Sequence, residues 1–177
     1  MKFIRTLSII SILFLVVGGC SVNRTGLKSE SYESGSGMPV QQETVKVVET
    51  GRDGRFMAFD NGTVKDSETG LMWAAKDNGT DITWIGARKY CENYDDGGFT
   101  DWRMPTQEEL AGIYDPAREN RHGYFVTELI DISACCPWPS DELGSEAAAF
   151  SFSYGGKYWL PKSCSFNSRA LPVRDVK

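Results

Sequence analysis

Few residues in this chain have the types and spacing that do chemistry. There is one histidine, His122, in the polar run ARENRHGYF, and one pair of adjacent cysteines, Cys135 and Cys136. A histidine titrates near neutral pH and serves as a general base when a cysteine or carboxylate lies beside it. Here the neighbours Arg118, Glu119, Asn120 and Arg121 make it read as a solvated loop residue. Two loops bring carboxylates together that could serve as oxygen ligands, Asp77 with Asp81 in DNGTD and Asp95 with Asp96. Loops of this kind supply oxygen ligands to Ca²⁺, but neither has the spacing of a helix-loop-helix calcium loop, so both read as solvated acidic turns. Zinc needs nitrogen and sulfur ligands at suitable spacing, and no CxxC is present. No metal and no cofactor is expected.

The cysteines are better read as structural. Leaving Cys20 aside, the chain has Cys91, Cys135, Cys136 and Cys164, and four cysteines allow three pairings. A bond between sequence neighbours is strained, which favours Cys91 with one of the adjacent pair and Cys164 with the other. The sequence does not choose among the pairings.

Aromatic residues gather near the end. Phe152, Tyr154, Tyr158, Trp159 and Phe166 lie among Ser, Asn, Gly and Lys, and Trp138 stands in the nearby CCPWPSDE. Some must build the core, and others can form a stacking platform for a sugar ring or an anchor for a protein. The candidate ligand-binding residues are Trp138, Tyr154, Lys157, Tyr158, Trp159, Lys162, Phe166, Asn167 and Arg169.

These residues need elements to position them. RFMAFDNGTVKDSETGLMWAAK, residues 55–76, reads as short strands with turns at Asn61-Gly62 and SETG. Met72 and Trp73 would feed the core. TWIGARKYCENY, residues 83–94, reads as a helix capped by Thr83, with Trp84, Ala87, Cys91 and Tyr94 on one face. In TDWRMPTQEELAGI, Thr106 and Glu109 form a capping box, Pro105 stands just outside, and Leu110, Ile113 and Tyr114 supply the buried stripe. Trp102 and Arg103 are expected to fix this loop against the sheet, and Glu108 to face water. AAAFSFSYGGKYWL, residues 147–160, alternates Phe and Tyr with Ser around a Gly155-Gly156 turn. RALPVRDV, residues 169–176, is a last strand, with Pro172 at an edge or end. The fold class is α+β, two helices packed on a mostly antiparallel β-sheet.

The first fifty residues stand apart. Lys2 and Arg5 precede the apolar run LSIISILFLVV, residues 7–17, which is too short to span a bilayer and fits a secretory leader. It runs into VGGCS, which resembles the bacterial lipobox. Residues 1–19 are then a signal peptide and Cys20 the lipidated first mature residue, anchored by acyl chains. Ser21 after the Cys resembles the outer-membrane sorting pattern. The segment up to residue 50 is rich in Ser, Gly, Glu and Gln and reads as a flexible tether, whose end VKVVET can add a short strand. Residues 51–177 form one domain. Removing Lys2 and Arg5 from the 19 basic side chains leaves 17 against 24 acidic ones, about −7, which argues against a nucleic-acid partner. Export favours disulfides.

DNGTVKDSETGLMW, the TW and YCENY of the first helix, GGFTDWRMPTQEEL and RALPVR together resemble the DUF1566 or Lcl C-terminal domain family, over about residues 52–175. The resemblance implies a C-type-lectin-like domain with both termini on one side. In the collagen-like adhesin that names the family, the domain binds sulfated glycosaminoglycans and assembles as a trimer, so a homo-oligomer is possible here. Many relatives place a Cys in the last strand that can pair with the helix Cys matching Cys91, and this chain has Pro172 there. The acidic balance leaves only local basic patches, Arg118, Arg121 and His122 or Lys157, Lys162 and Arg169. The RMPTQEE core is also similar to formylglycine-generating-enzyme-like domains, although their catalytic cysteine spacing is missing. The expected function is a non-enzymatic, adhesin-like domain binding a glycan or protein at the envelope. A structural envelope-assembly lipoprotein is the alternative, and an enzyme of the formylglycine-generating kind ranks below both.

Overall fold

The computed structural model describes residues 46–176. The expected leader 1–19, the lipidated Cys20 and the tether as far as residue 45 lie outside the described residues. The domain opens with β1 (Glu49–Asp53), β2 (Phe56–Phe59), β3 (Thr63–Asp66) and β4 (Leu71–Ala74). Helices α1 (Trp84–Glu92) and α2 (Gln107–Gly112) follow. Then come β5 (Cys136–Pro137), β6 (Glu142–Leu143), β7 (Glu146–Ser151), β8 (Gly156–Pro161), β9 (Ser168–Arg169) and β10 (Val173–Asp175). Strand β1 takes in only Glu49 and Thr50 of VKVVET, the segment expected to add a strand, and runs on to Asp53.

Local chemistry sets the first meander. Gly62 takes φ 79°, which a residue with a Cβ rarely adopts, and its N–H donates to Phe59 O at 3.2 Å. At the next turn Asp66 Oδ1 accepts from Glu68 N at 3.0 Å, so the side chain stands in for a backbone acceptor. Both helices start as their sequences predict. Thr83 caps α1 by accepting from Gly86 N at 3.3 Å. In α2, Thr106 Oγ1 accepts from Glu109 N at 3.1 Å and Glu109 accepts from Thr106 N at 2.7 Å, completing the capping box.

The expected single sheet is a correction. The described residues form three sheets: an antiparallel one in the order β1-β2-β3-β4-β10, an antiparallel one of β6-β7-β8, and a small parallel pair of β5 and β9. Pro172 has no N–H to continue a ladder, and the last apolar run divides around it. Ser168 pairs with Cys136 before it, and Val173 pairs with Trp73 after it. The fold is α+β and mostly antiparallel, with two short helices.

The apolar residues separate into two cores. One joins the large sheet to α2 through Val64, Trp73, Leu110, Ile113 and Phe150. The other holds Trp84, Ala87 and Cys91 of α1 against Trp138, Ala147 and Ala149. Strand β7 serves both, so Ser151 is buried along with the flanking Phe150 and Phe152. The small alanines let structure close over both faces of β7. Helix α2 is shorter than its stripe suggests, so Tyr114 lies beyond its end and packs edge-on against Phe150.

Candidate functional site

The two-residue period of β8 divides the predicted binding residues between two faces. Lys157 and Trp159 lie on one, Gly156, Tyr158 and Leu160 on the other. Trp159 is half-exposed, and Lys157 pairs with Glu108 of α2. On the opposite face Tyr158 and Leu160 pack on the α1 core. Tyr154, in the turn before β8, is 66% exposed and lays its ring across Gly156, where a Cβ would come within 2.0 Å of it. That close approach needs glycine, and it puts Tyr154 on the Tyr158 side.

From Tyr158 the contacts continue in one direction. Its hydroxyl donates to Cys136 Sγ at 3.1 Å. Burial, with a smaller contribution from Tyr154, pushes that hydroxyl above its ordinary pKa, so it stays a proton donor at neutral pH. Cys136 is bonded to Cys135, whose Sγ lies 3.8 Å from Asn167 O. Asn167 takes φ 55°, a left-handed conformation that asparagine tolerates, and Phe166 beside it is 81% exposed. A run of contacts thus leads from Tyr154 and Tyr158 through the Cys135–Cys136 pair to the backbone of Asn167, next to the exposed Phe166.

Other expected members are placed elsewhere. Trp138 is buried at 1% exposure and is a core residue, not a contact for ligand. Its Nε1 donates to Ile82 O at 2.9 Å, while Trp84 Nε1 donates to Pro139 O at 2.8 Å, a reciprocal exchange that clamps α1 onto β5. Lys162 pairs with Glu142 and sits 4.8 Å from the centre of the Trp84 ring. Arg169 is largely buried, donating to Ser133 Oγ at 2.8 Å and pairing with Asp81. The DNGTD loop is no solvated turn: Asp77 is buried and accepts from Ser133 N at 2.6 Å and Gly79 N at 2.8 Å. Its carboxylate fixes the loop that precedes Cys135.

The cysteine expectation is also corrected. Cys135 bonds its neighbour Cys136, and Cys91 and Cys164 are free thiols. Cys91 is committed to the α1 core, where burial and then Glu92 push its thiol up to about 12. His122 lies 3.1 Å from Asp131, which also pairs with Arg121. Among the described residues no three His, Cys, Asp or Glu side chains gather as a metal set.

TDWRMPTQEEL is a fold lock. Trp102 is buried and its Nε1 donates to Asp96 O at 3.2 Å. The Arg103 backbone pairs with Val173, and its guanidinium grips Glu109 at 2.8 and 2.7 Å and also reaches Asp175. Pro105 O accepts from Ser140 N at 2.7 Å, and Trp73 is fully buried in the first core. Burial tends to raise the Glu109 pKa, but Arg103 and the Thr106 N–H outweigh it and hold the carboxylate below its ordinary value. A cleft of about 450 Å³ lies beside this lock, between α1 and residues 103–106. Its charges are already matched, Arg88 with Glu92, Arg103 with Glu109 and Glu142 with Lys162.

Sequence reasoning missed the Asp77–Ser133–Arg169 latch, which joins residues far apart in the chain and leaves no local signal. The split across β8 was detectable, because adjacent Tyr158 and Trp159 in one strand must face opposite ways. No curated protein matches the chain. The model of the Lcl C-terminal domain matches residues 62–174, from the Gly62 turn to Arg174 of β10, and so takes in both helices, the capping-box lock and the disulfide surface. With well over half of its length covered, the chain belongs to the Lcl C-terminal domain family.

Proposed function

We propose that this protein is an exported lipoprotein, anchored in the bacterial outer membrane through Cys20, whose C-type-lectin-like domain binds a glycan without catalysing a reaction. The lectin-like assignment draws support from topology: the first and last strands share one sheet, and both helices and the second sheet fall between them in the chain. The observation that carries the binding reading is the surface built from Tyr154, Tyr158, Asn167 and Phe166. Its rings at 66% and 81% exposure stand beside polar groups on a backbone braced by the Cys135–Cys136 bond. Exposed apolar rings next to hydrogen-bonding groups suit a sugar, which offers a C–H face and hydroxyls together.

The charge pattern narrows the class. Lys157, Lys162 and Arg169, the basic residues of this region, are each paired with an acidic side chain of the domain. A sulfated polymer needs unspent cations, so a neutral glycan fits better. Probing a printed glycan array with the purified chain tests this reading. Binding to neutral saccharides is expected. A blank array, with envelope proteins captured from detergent extract instead, would replace it with the envelope-assembly role.

A further inference from the structure

The two sulfurs of the Cys135–Cys136 bond are not equivalent. Cys135 is half-buried at the surface, whereas Cys136 is buried at 6% exposure. Only Cys136 receives a hydrogen bond from a side-chain hydroxyl, that of Tyr158 at 3.1 Å. Thiol–disulfide exchange depends on which sulfur the attacking thiolate can reach and on how well the departing sulfur carries negative charge. Both conditions select the same direction.

We propose that Cys135–Cys136 is a two-electron redox site for an external dithiol, which attacks at Cys135 and expels Cys136 as the thiolate. In the first step one thiolate of the dithiol forms a bond to Cys135 Sγ and the Cys135–Cys136 bond breaks. The electron pair leaves on Cys136 Sγ, where the Tyr158 hydroxyl supports it. In the second step the other thiolate of the dithiol attacks its own sulfur in the mixed disulfide and releases Cys135. The protein gains two electrons and, from the dithiol and solvent, two protons, and the dithiol becomes a disulfide. Tyr158 keeps its proton at neutral pH because burial raises its pKa, so it is a donor throughout. Neither step calls on Cys91, whose thiol is buried and weakly acidic.

The site also connects to the exposed surface. Cys136 pairs with Ser168 across β5 and β9, and Cys135 Sγ touches Asn167 O. Reduction therefore alters the support beneath Phe166 and Asn167. The site does not rest on glycan binding, so either reading can fail alone.

Dithiothreitol and oxidised glutathione serve as the probes, with cysteine states mapped by alkylation and peptide mass spectrometry on the full chain. Cys135 and Cys136 should resist alkylation until dithiothreitol is added, then label together. With oxidised glutathione, Cys136→Ser should take up the adduct on Cys135 at least tenfold faster than Cys135→Ser takes it up on Cys136. Tyr158→Phe, checked for native circular dichroism, should be reduced roughly fivefold more slowly, the effect of one hydrogen bond on the leaving sulfur. Labelling of both cysteines without reductant would overturn the site. Equal or reversed adduct rates, or wild-type reduction of Tyr158→Phe, would overturn the assigned direction of attack.

Discussion

At the scale of single residues, Glu109 ties α2 to the rest of the fold. It closes the capping box, receives both nitrogens of the Arg103 fork, and through Arg103 joins α2 to β10. Replacing Glu109 by Gln should cost about 1–2 kcal/mol, the scale of a hydrogen bond to a charged group reduced by solvent screening of the partly exposed Arg103. The pH dependence follows from its depressed pKa. A carboxylate held below its unfolded value contributes stability above that value and loses it as pH falls through the folded one. Urea unfolding of wild type and Glu109→Gln should therefore differ fully at pH 7 and converge below the ordinary glutamate range. A gap that widens in acid would contradict the assigned role. Cys91 gives a second residue-scale prediction. With its thiol pushed up to about 12, it should resist iodoacetamide at pH 8 in the folded protein and react once urea is added. Rapid labelling without urea would show that the α1 core is open.

At the scale of elements, the crossing of α1 with β5 is the joint that defines the second core. Its two indoles exchange hydrogen bonds, Trp138 to Ile82 and Trp84 to Pro139. Trp138→Ala should destabilise the domain by about 3–5 kcal/mol, as large aromatic truncations in cores do. Thermal or urea denaturation would measure it, and a change under 1 kcal/mol would return Trp138 to the surface. The capping box and the turns were legible in the sequence because they depend on residues no more than three apart: Thr106 with Glu109, and Asn61 with Gly62. Trp138 was misread because a tryptophan beside Pro, Ser and Asp looks exposed, and its partner lies on another element. Arg169 and Asp77 were misread for a related reason. Each looked solvated as a local charge, and they meet only when β9 packs beside the loop ahead of Cys135. The vicinal bond defied the expectation from strain between neighbours, since Cys91 is held in the helix core.

At the scale of the whole molecule, the exposed Tyr154 and Phe166 are not among the residues that build the capping-box lock. The family match covers the lock, the helices and the disulfide surface, so it fixes the scaffold and leaves the ligand to be found by binding. The proposed anchoring rests on the apolar run 7–17 that leads into Gly18, Gly19 and Cys20. Cys20→Ala should accumulate as unprocessed precursor and lose acyl-dependent detergent partitioning. A variant that is processed and partitions like wild type would remove the lipoprotein reading. The central claim, that Tyr154 and Phe166 form the ligand face, is tested most directly by one comparison. Wild type, Tyr154→Ala, Phe166→Ala and Trp159→Ala are read on the same glycan array, with folding verified for each. The expected result is that Tyr154→Ala and Phe166→Ala lose the wild-type signal at least tenfold and Trp159→Ala keeps it. Loss confined to Trp159→Ala would put the ligand on the opposite face of β8 and contradict the account.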